Sequence, residues 1–157
     1  MNKGIVVTRL ENLPESHKNE HEPYEYRRYE VTPRQDFSGC YAAFYEIPPR
    51  KYSYPYHYHS ANTELFYIIR GQGILETPEG ECTVQAGDVV ACPPGEAGAH
   101  RLFNPSVTET LLYLDCDAVH SPEVIRYPRS GKTGIILHGQ SSTFFPDCSA
   151  ASYYDGE

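Results

Sequence analysis

His57 and His59 stand two residues apart in the stretch Pro55-Tyr56-His57-Tyr58-His59-Ser60-Ala61-Asn62-Thr63-Glu64. Side chains on a β-strand alternate between faces, so this spacing puts both imidazoles on one side. Glu64 follows a short polar turn and opens the apolar run Leu65-Phe66-Tyr67-Ile68-Ile69. Two imidazoles and a carboxylate delivered by neighbouring segments can meet at one point, and such a mixed nitrogen and oxygen set suits divalent transition metals. The same residues also fit a pair of surface histidines beside a solvated glutamate, and the spacing by itself leaves both readings open.

A second stretch supplies a partner. Gly87-Asp88 turns into Val89-Val90-Ala91-Cys92, Pro93-Pro94-Gly95 turns again, and His100 opens His100-Arg101-Leu102-Phe103-Asn104. A third imidazole from a neighbouring strand would complete a set of three histidines and one carboxylate. Such a set leaves one or two positions open on a five- or six-coordinate ion, as a catalytic metal requires. Alternation aims Phe66 and Ile68 inward with Glu64, and Leu102 and Asn104 inward with His100, so these four are expected to line a substrate pocket. Tyr67 and Arg101 are expected to face away. Tyr52, Tyr54, Tyr56 and Tyr58 fall on the face opposite the histidines, where they are expected to pack against an N-terminal arm or a second subunit.

Two further motifs fail their context. His17-Lys18-Asn19-Glu20-His21 spells the H-x-x-E-H zinc-protease pattern, but no apolar stripe accompanies it to hold a helix, and it reads as a solvated linker. Ser130-Gly131-Lys132-Thr133 resembles the end of a phosphate-binding loop, yet the required upstream glycine is Arg126, so it reads as a turn.

The elements that must position these residues are short. Strand-like runs recur at 40–47, 52–59, 64–70, 74–77, 81–85, 88–92, 100–103 and 110–116, separated by Gly- and Pro-rich turns, and no sustained helical stripe occurs. That rhythm predicts an all-β sandwich or barrel. The 157 residues fit one domain. It divides into an N-terminal arm over 1–36, with edge strands at Ile5-Val6-Val7 and 24–31, a barrel core over 37–116, and C-terminal strands at 123–128 and 134–138 within a tail over 117–157. The net charge of −8 and scattered basic residues argue against nucleic acid and anionic membranes as partners. No apolar run is long enough to span a bilayer, and no secretory signal is visible. Five cysteines without a CxxC predict reduced thiols and a cytoplasmic location.

The two histidine motifs together resemble those of the cupin superfamily. His57-x-His59, Glu64 and Gly71 match the first motif, and Gly87, Pro93, Gly95, His100 and Asn104 match most of the second, across roughly residues 37–116. The chain looks closest to small single-domain cupins of uncharacterised function, in which Gly98-Ala99-His100-Arg101, Tyr127-Pro128 and the ending Tyr153-Tyr154-Asp155-Gly156-Glu157 have counterparts. Some of these are labelled sugar-phosphate isomerase-like. Two positions depart from the pattern. Lys51 stands where the first motif begins with glycine, and four residues separate Gly95 from His100 where the general pattern has two.

The resemblance implies an all-β double-stranded β-helix, or jelly-roll barrel, with one divalent ion (Zn, Fe, Mn or Ni) on His57, His59, Glu64 and His100. It implies a small oxygenated ligand, sugar-phosphate-like or a hydroxy or keto acid, and metal-dependent isomerase, lyase or dioxygenase chemistry. The alternatives are a metal-assisted carbohydrate-binding or sensing module without turnover, and a barrel whose metal is structural or vestigial. Exposed strand edges lead to the expectation of a homodimer.

Overall fold

Alternating apolar and polar residues between Gly and Pro turns specify short strands, and strands are what form. The structure, a computed structural model, describes residues 4–33, 39–137 and 140–156. In chain order the strands are β1 (Glu15–His21), β2 (Tyr24–Glu30), β3 (Cys40–Ile47), β4 (Tyr58–His59), β5 (Glu64–Arg70), β6 (Gln72–Thr77), β7 (Gly80–Gln85), β8 (Val89–Cys92), β9 (Arg101–Phe103), β10 (Leu111–Ala118), β11 (Glu123–Tyr127), β12 (Lys132–Ile136) and β13 (Thr143–Pro146). Helical structure among the described residues is limited to single 3-10 turns such as Glu96–Gly98. No helix among them is long and apolar enough to cross a membrane.

One layer has the order β1-β2-β3-β10-β5-β8. Two smaller sheets, β13-β12-β11-β4 and β7-β6-β9, make up the other side. An antiparallel bridge joins them: His57 N–H donates to the His100 carbonyl at 3.1 Å, and His100 N–H returns the bond to the His57 carbonyl at 2.9 Å. The result is the expected jelly-roll barrel, a double-stranded β-helix.

Register stacks the inward side chains of β3, β10 and β5 in rows. Ile47 lies opposite Leu111, and Tyr45 opposite Tyr113, which faces Ile68 on its other side. Ala43, Asp115 and Phe66 form the next row, and Tyr41, Asp117 and Glu64 the last. All of these residues are buried. The interior therefore grades from a dry apolar end to an acidic one. Each fully buried Ile or Leu contributes about 1.5–3 kcal/mol of hydrophobic stabilisation. The acidic end is unfavourable unless its charges meet hydrogen bonds or a cation.

The arm differs from expectation. Ile5-Val6-Val7 forms no strand, and Ile5 is 99% exposed. His17–His21 lies within β1, so its histidines do not share a helix face. The segment is also not a linker, because it pairs with β2, and β2 is not an edge but sits between β1 and β3. The tyrosine stripe is broken as well. Of the strand expected over 52–59 only Tyr58–His59 forms, because the chain bends around Pro55. Tyr54 consequently turns inward, 4.7 Å from the Tyr26 ring, while Tyr52 packs between Tyr24 and Phe103 at 6.0 and 4.5 Å. Both meet the arm, but not as one face. Lys51, in place of the motif's glycine, pairs with Glu22 and, at 3.7 Å, with Glu25 of the arm. The adjacent Arg50 takes the left-handed conformation (φ 62°). The arm-to-barrel boundary at residue 36, His138 at the end of the expected 134–138 strand, and Glu157 lie outside the described residues.

Candidate metal centre

Three imidazoles and one carboxylate converge at the acidic end of the barrel. His57 leads into β4, His59 ends it, His100 sits across the main-chain bridge from His57, and Glu64 opens β5 in the facing layer. The four are 4–7% exposed. One ligating atom each from His57, His59 and Glu64 lie within 4.8 Å of one another. Nε2 of His57, His59 and His100 lies 4.0, 3.4 and 3.3 Å from the Glu64 carboxylate. The His57 and His100 rings are 4.9 Å apart.

The outer ring nitrogens explain these orientations. His57 Nδ1 donates to the Pro55 carbonyl at 2.9 Å, and His100 Nδ1 donates to the Gly98 carbonyl at 2.9 Å. His59 Nδ1 lies 3.3 Å from a Glu123 carboxylate oxygen. A neutral imidazole protonated on Nδ1 carries its lone pair on Nε2, so His57 and His100 aim lone pairs at a carboxylate that also accepts. Acceptors facing acceptors repel unless a cation lies between them. The donor set thus fits a divalent ion, and His57, His59 and Glu64 form a group able to hold one.

The electrostatics agree. Burial lowers the His57 pKa to about 4, outweighing the pull of Glu64, so His57 is neutral at physiological pH. Burial would raise Glu64, but the hydrogen bond with His59 and the fields of all three histidines bring it down to about 2. Burial would likewise lower His59, yet the hydrogen bond and charge of Glu64, with smaller contributions from Asp117 and Glu123, raise it.

The four-residue loop between Gly95 and His100 keeps His100 in register by coiling. Glu96–Gly98 forms one 3-10 turn, and Gly95 N–H donates to the His59 carbonyl at 2.7 Å. Phe66 and Leu102 line a narrow cleft beside His57 and His100, with the Phe66 ring edge-on to His100 at 5.3 Å. Ile68 is fully buried one row deeper, in the core. Asn104 is buried with its side-chain amide donating to the Ile47 and Glu109 carbonyls, both at 2.8 Å, and so ties the loop after β9. Arg101 faces away from His100, onto Glu76 and over the Tyr52 ring.

Sequence reasoning missed several residues here. Asp115 and Asp117 lie on the inward face of β10, and with Glu64 they form a second group of converging carboxylates. Their signal was alternation: Leu111, Tyr113, Asp115 and Asp117 share one face. Glu123 on β11 backs His59, and Tyr127 stacks on the His57 ring at 5.9 Å. A cavity of about 130 Å³ opens onto the site, walled by His57, His59, Glu64, Asp115, Asp117 and, from the arm, Arg28.

Residues 43–116 match the Cupin domain family. A comparison with curated proteins found no match. Among solved structures, the chain superposes with a TM-score of 0.80 and 22% identity on a candidate sugar phosphate isomerase from Acidithiobacillus ferrooxidans ATCC 23270, over 94% of this chain and 95% of the other. A cupin-superfamily sugar phosphate isomerase from Silicibacter pomeroyi DSS-3 superposes with a TM-score of 0.80 at 16% identity, over 96% and 98% of the two chains. A predicted oxalate decarboxylase from Thermotoga maritima gives 0.64 at 20% identity, over 73% of this chain and all of the other (100%). At these identities the likeness is one of fold.

Proposed function

We propose that this chain, whose residues 43–116 match the Cupin domain family, is a cupin that binds one divalent metal ion through His57, His59, Glu64 and His100 and there takes a small oxygenated ligand. The observation that carries this reading is the convergence itself: three Nε2 atoms within 4.0 Å of one buried carboxylate, two of them fixed as acceptors by Nδ1 bonds to backbone carbonyls. When bound, the ion would polarise a ligand oxygen.

The chain's own residues do the rest. His57 and His100 are held by Pro55 and Gly98, so their rings need little reorganisation. Phe66, Leu102 and Tyr113 wall off water on one side, giving an apolar pocket with one polar focus. Asp115 and Asp117 place carboxylates beside the ligand space, where one can accept a proton from carbon or oxygen and return it. Isomerisation of a hydroxy-carbonyl compound needs that proton transfer and no redox partner. It is consistent with the sugar phosphate isomerase names of two structural neighbours that span nearly the whole chain.

The test is elemental analysis of the purified protein before and after reloading, repeated on His57→Ala and His100→Ala. About one ion per chain in the wild type, and a marked loss in both variants, is expected. Reloaded wild type without stoichiometric metal sinks the proposal. His100→Ala that keeps full metal removes His100 from the ligand set. Turnover of a hydroxy-carbonyl panel that chelation abolishes supports isomerase chemistry, whereas tight binding of an unchanged ligand favours a sensing module.

A further inference from the structure

Arg28 is the cavity residue that the metal reading does not use. Its position follows from register. β2 pairs with β3 so that Arg28 lies opposite Tyr45, whose side chain points into the barrel. Alternation then sets Tyr26, Arg28 and Glu30 on the inward face. Arg28 shares the walls of the 130 Å³ cavity with the histidines and Glu64. Its Nη2 lies 3.2 Å from Glu30, while its Nε is buried without a hydrogen-bond partner. A guanidinium stays charged and offers five donors in a flat fork, and among the described residues the buried Nε of Arg28 is one such donor left open.

Charge is segregated across the cavity. Glu64, Asp115 and Asp117 gather on β5 and β10, beside the histidines. Arg28 belongs to the arm and is surrounded by the tyrosines of β3 and the segment before β4, with Tyr54 donating to Tyr45 at 3.1 Å and Tyr41 and Tyr45 joined at 3.3 Å. Size narrows the occupant. An apolar cavity of about 150 Å³ holds benzene, so about 130 Å³ takes roughly six heavy atoms. A three-carbon acid is of that size, and a whole sugar phosphate would have to project beyond it.

We infer that Arg28 reads the far end of the ligand: it binds the carboxylate of a small two-ended acid whose other oxygen end faces His57, His59 and Glu64. This rests on the metal-binding reading above and adds a ligand class and a specificity residue to it. A carboxylate matches the fork in two parallel bonds, which a lysine cannot reproduce.

The test is calorimetric titration of malonate into zinc-loaded wild type, Arg28→Gln and Arg28→Lys, with metal content and thermal midpoint measured on the same samples. All three are expected to hold equal zinc. Malonate is expected to bind about 10- to 100-fold more weakly to Arg28→Gln, with Arg28→Lys between the two. Wild type that takes up no zinc overturns the metal reading and this inference with it. Zinc-loaded wild type and Arg28→Gln that bind malonate equally overturn the role of Arg28 alone. Should Arg28→Gln fail to fold, Arg28→Lys decides, and wild-type affinity in that variant overturns the inference. Absence of malonate binding at millimolar concentration, or tighter binding of phosphoglycolate than of malonate, overturns the assignment to a small carboxylate.

Discussion

Gly98 has no room for a methyl group. A Cβ there would lie 1.8 Å from the Pro93 carbonyl oxygen, a backbone atom that cannot swing aside. The Gly98 carbonyl also receives the His100 Nδ1 hydrogen bond. Gly98→Ala is therefore expected to displace the loop, turn the His100 ring, and destabilise the fold by about 1–3 kcal/mol, as overpacking does. Urea midpoint and zinc stoichiometry are both expected to fall, and a variant with unchanged values of both would show that the loop adapts. At this scale the sequence was informative where identity and spacing coincide: His57, His59, Glu64 and His100 converge as their motifs imply. It was silent on Asp115 and Asp117, because a charged pair at the end of an apolar strand looks solvated until β10 is known to lie between β3 and β5. It was equally silent on Arg28, since residues 24–31 read as an edge.

The arm hairpin, β1 with β2, extends the barrel's larger layer and supplies part of its lining. Tyr26 anchors it, with its ring 4.7 Å from Tyr54 and 5.5 Å from Tyr45. Tyr26→Ala empties that contact, and by analogy with other buried aromatics it costs about 3–5 kcal/mol. Limited proteolysis is expected to cut this variant first within residues 15–30, while the barrel stays resistant. Cleavage spread evenly over the chain would mean that the hairpin is no separate unit of stability. The strand rhythm from residue 40 onward was legible because strands such as β3, β5 and β10 alternate and turns such as Pro48-Pro49, Gly71 and Pro93-Pro94-Gly95 punctuate the chain. Residues 52–57 were not, because Pro55 interrupts the ladder and period-two reasoning then assigns Tyr54 to the wrong face.

The barrel as a whole is built on tyrosine to an unusual degree, with 14 in 157 residues. Tyr45 and Tyr113 are buried in the core, their rings stacked at 5.2 Å, and burial raises both pKa values well above the ordinary 10. Tyr127 is pushed up to about 12 for the same reason. In the unfolded chain such phenols ionise near pH 10. Between pH 10 and the folded-state values the unfolded state binds fewer protons than the native one, so stability falls as pH rises through that window and is unaffected below it. A spectrophotometric titration is expected to show exposed tyrosines ionising near pH 10, with the buried set following only as circular dichroism reports unfolding. All tyrosines titrating as one class with the fold intact would contradict this picture.

The bridge between His57 and His100 is made of main-chain atoms, whereas the chemistry assigned to these residues belongs to their side chains. The clasp that closes the smaller layer is therefore blind to what it carries. A lineage can exchange either imidazole for another group and still inherit a closed barrel with a pocket at the same address. Architecture and reactivity are thus separately heritable here, and a protein engineer can vary the side chains at positions 57 and 100 while the main-chain bridge between them remains available.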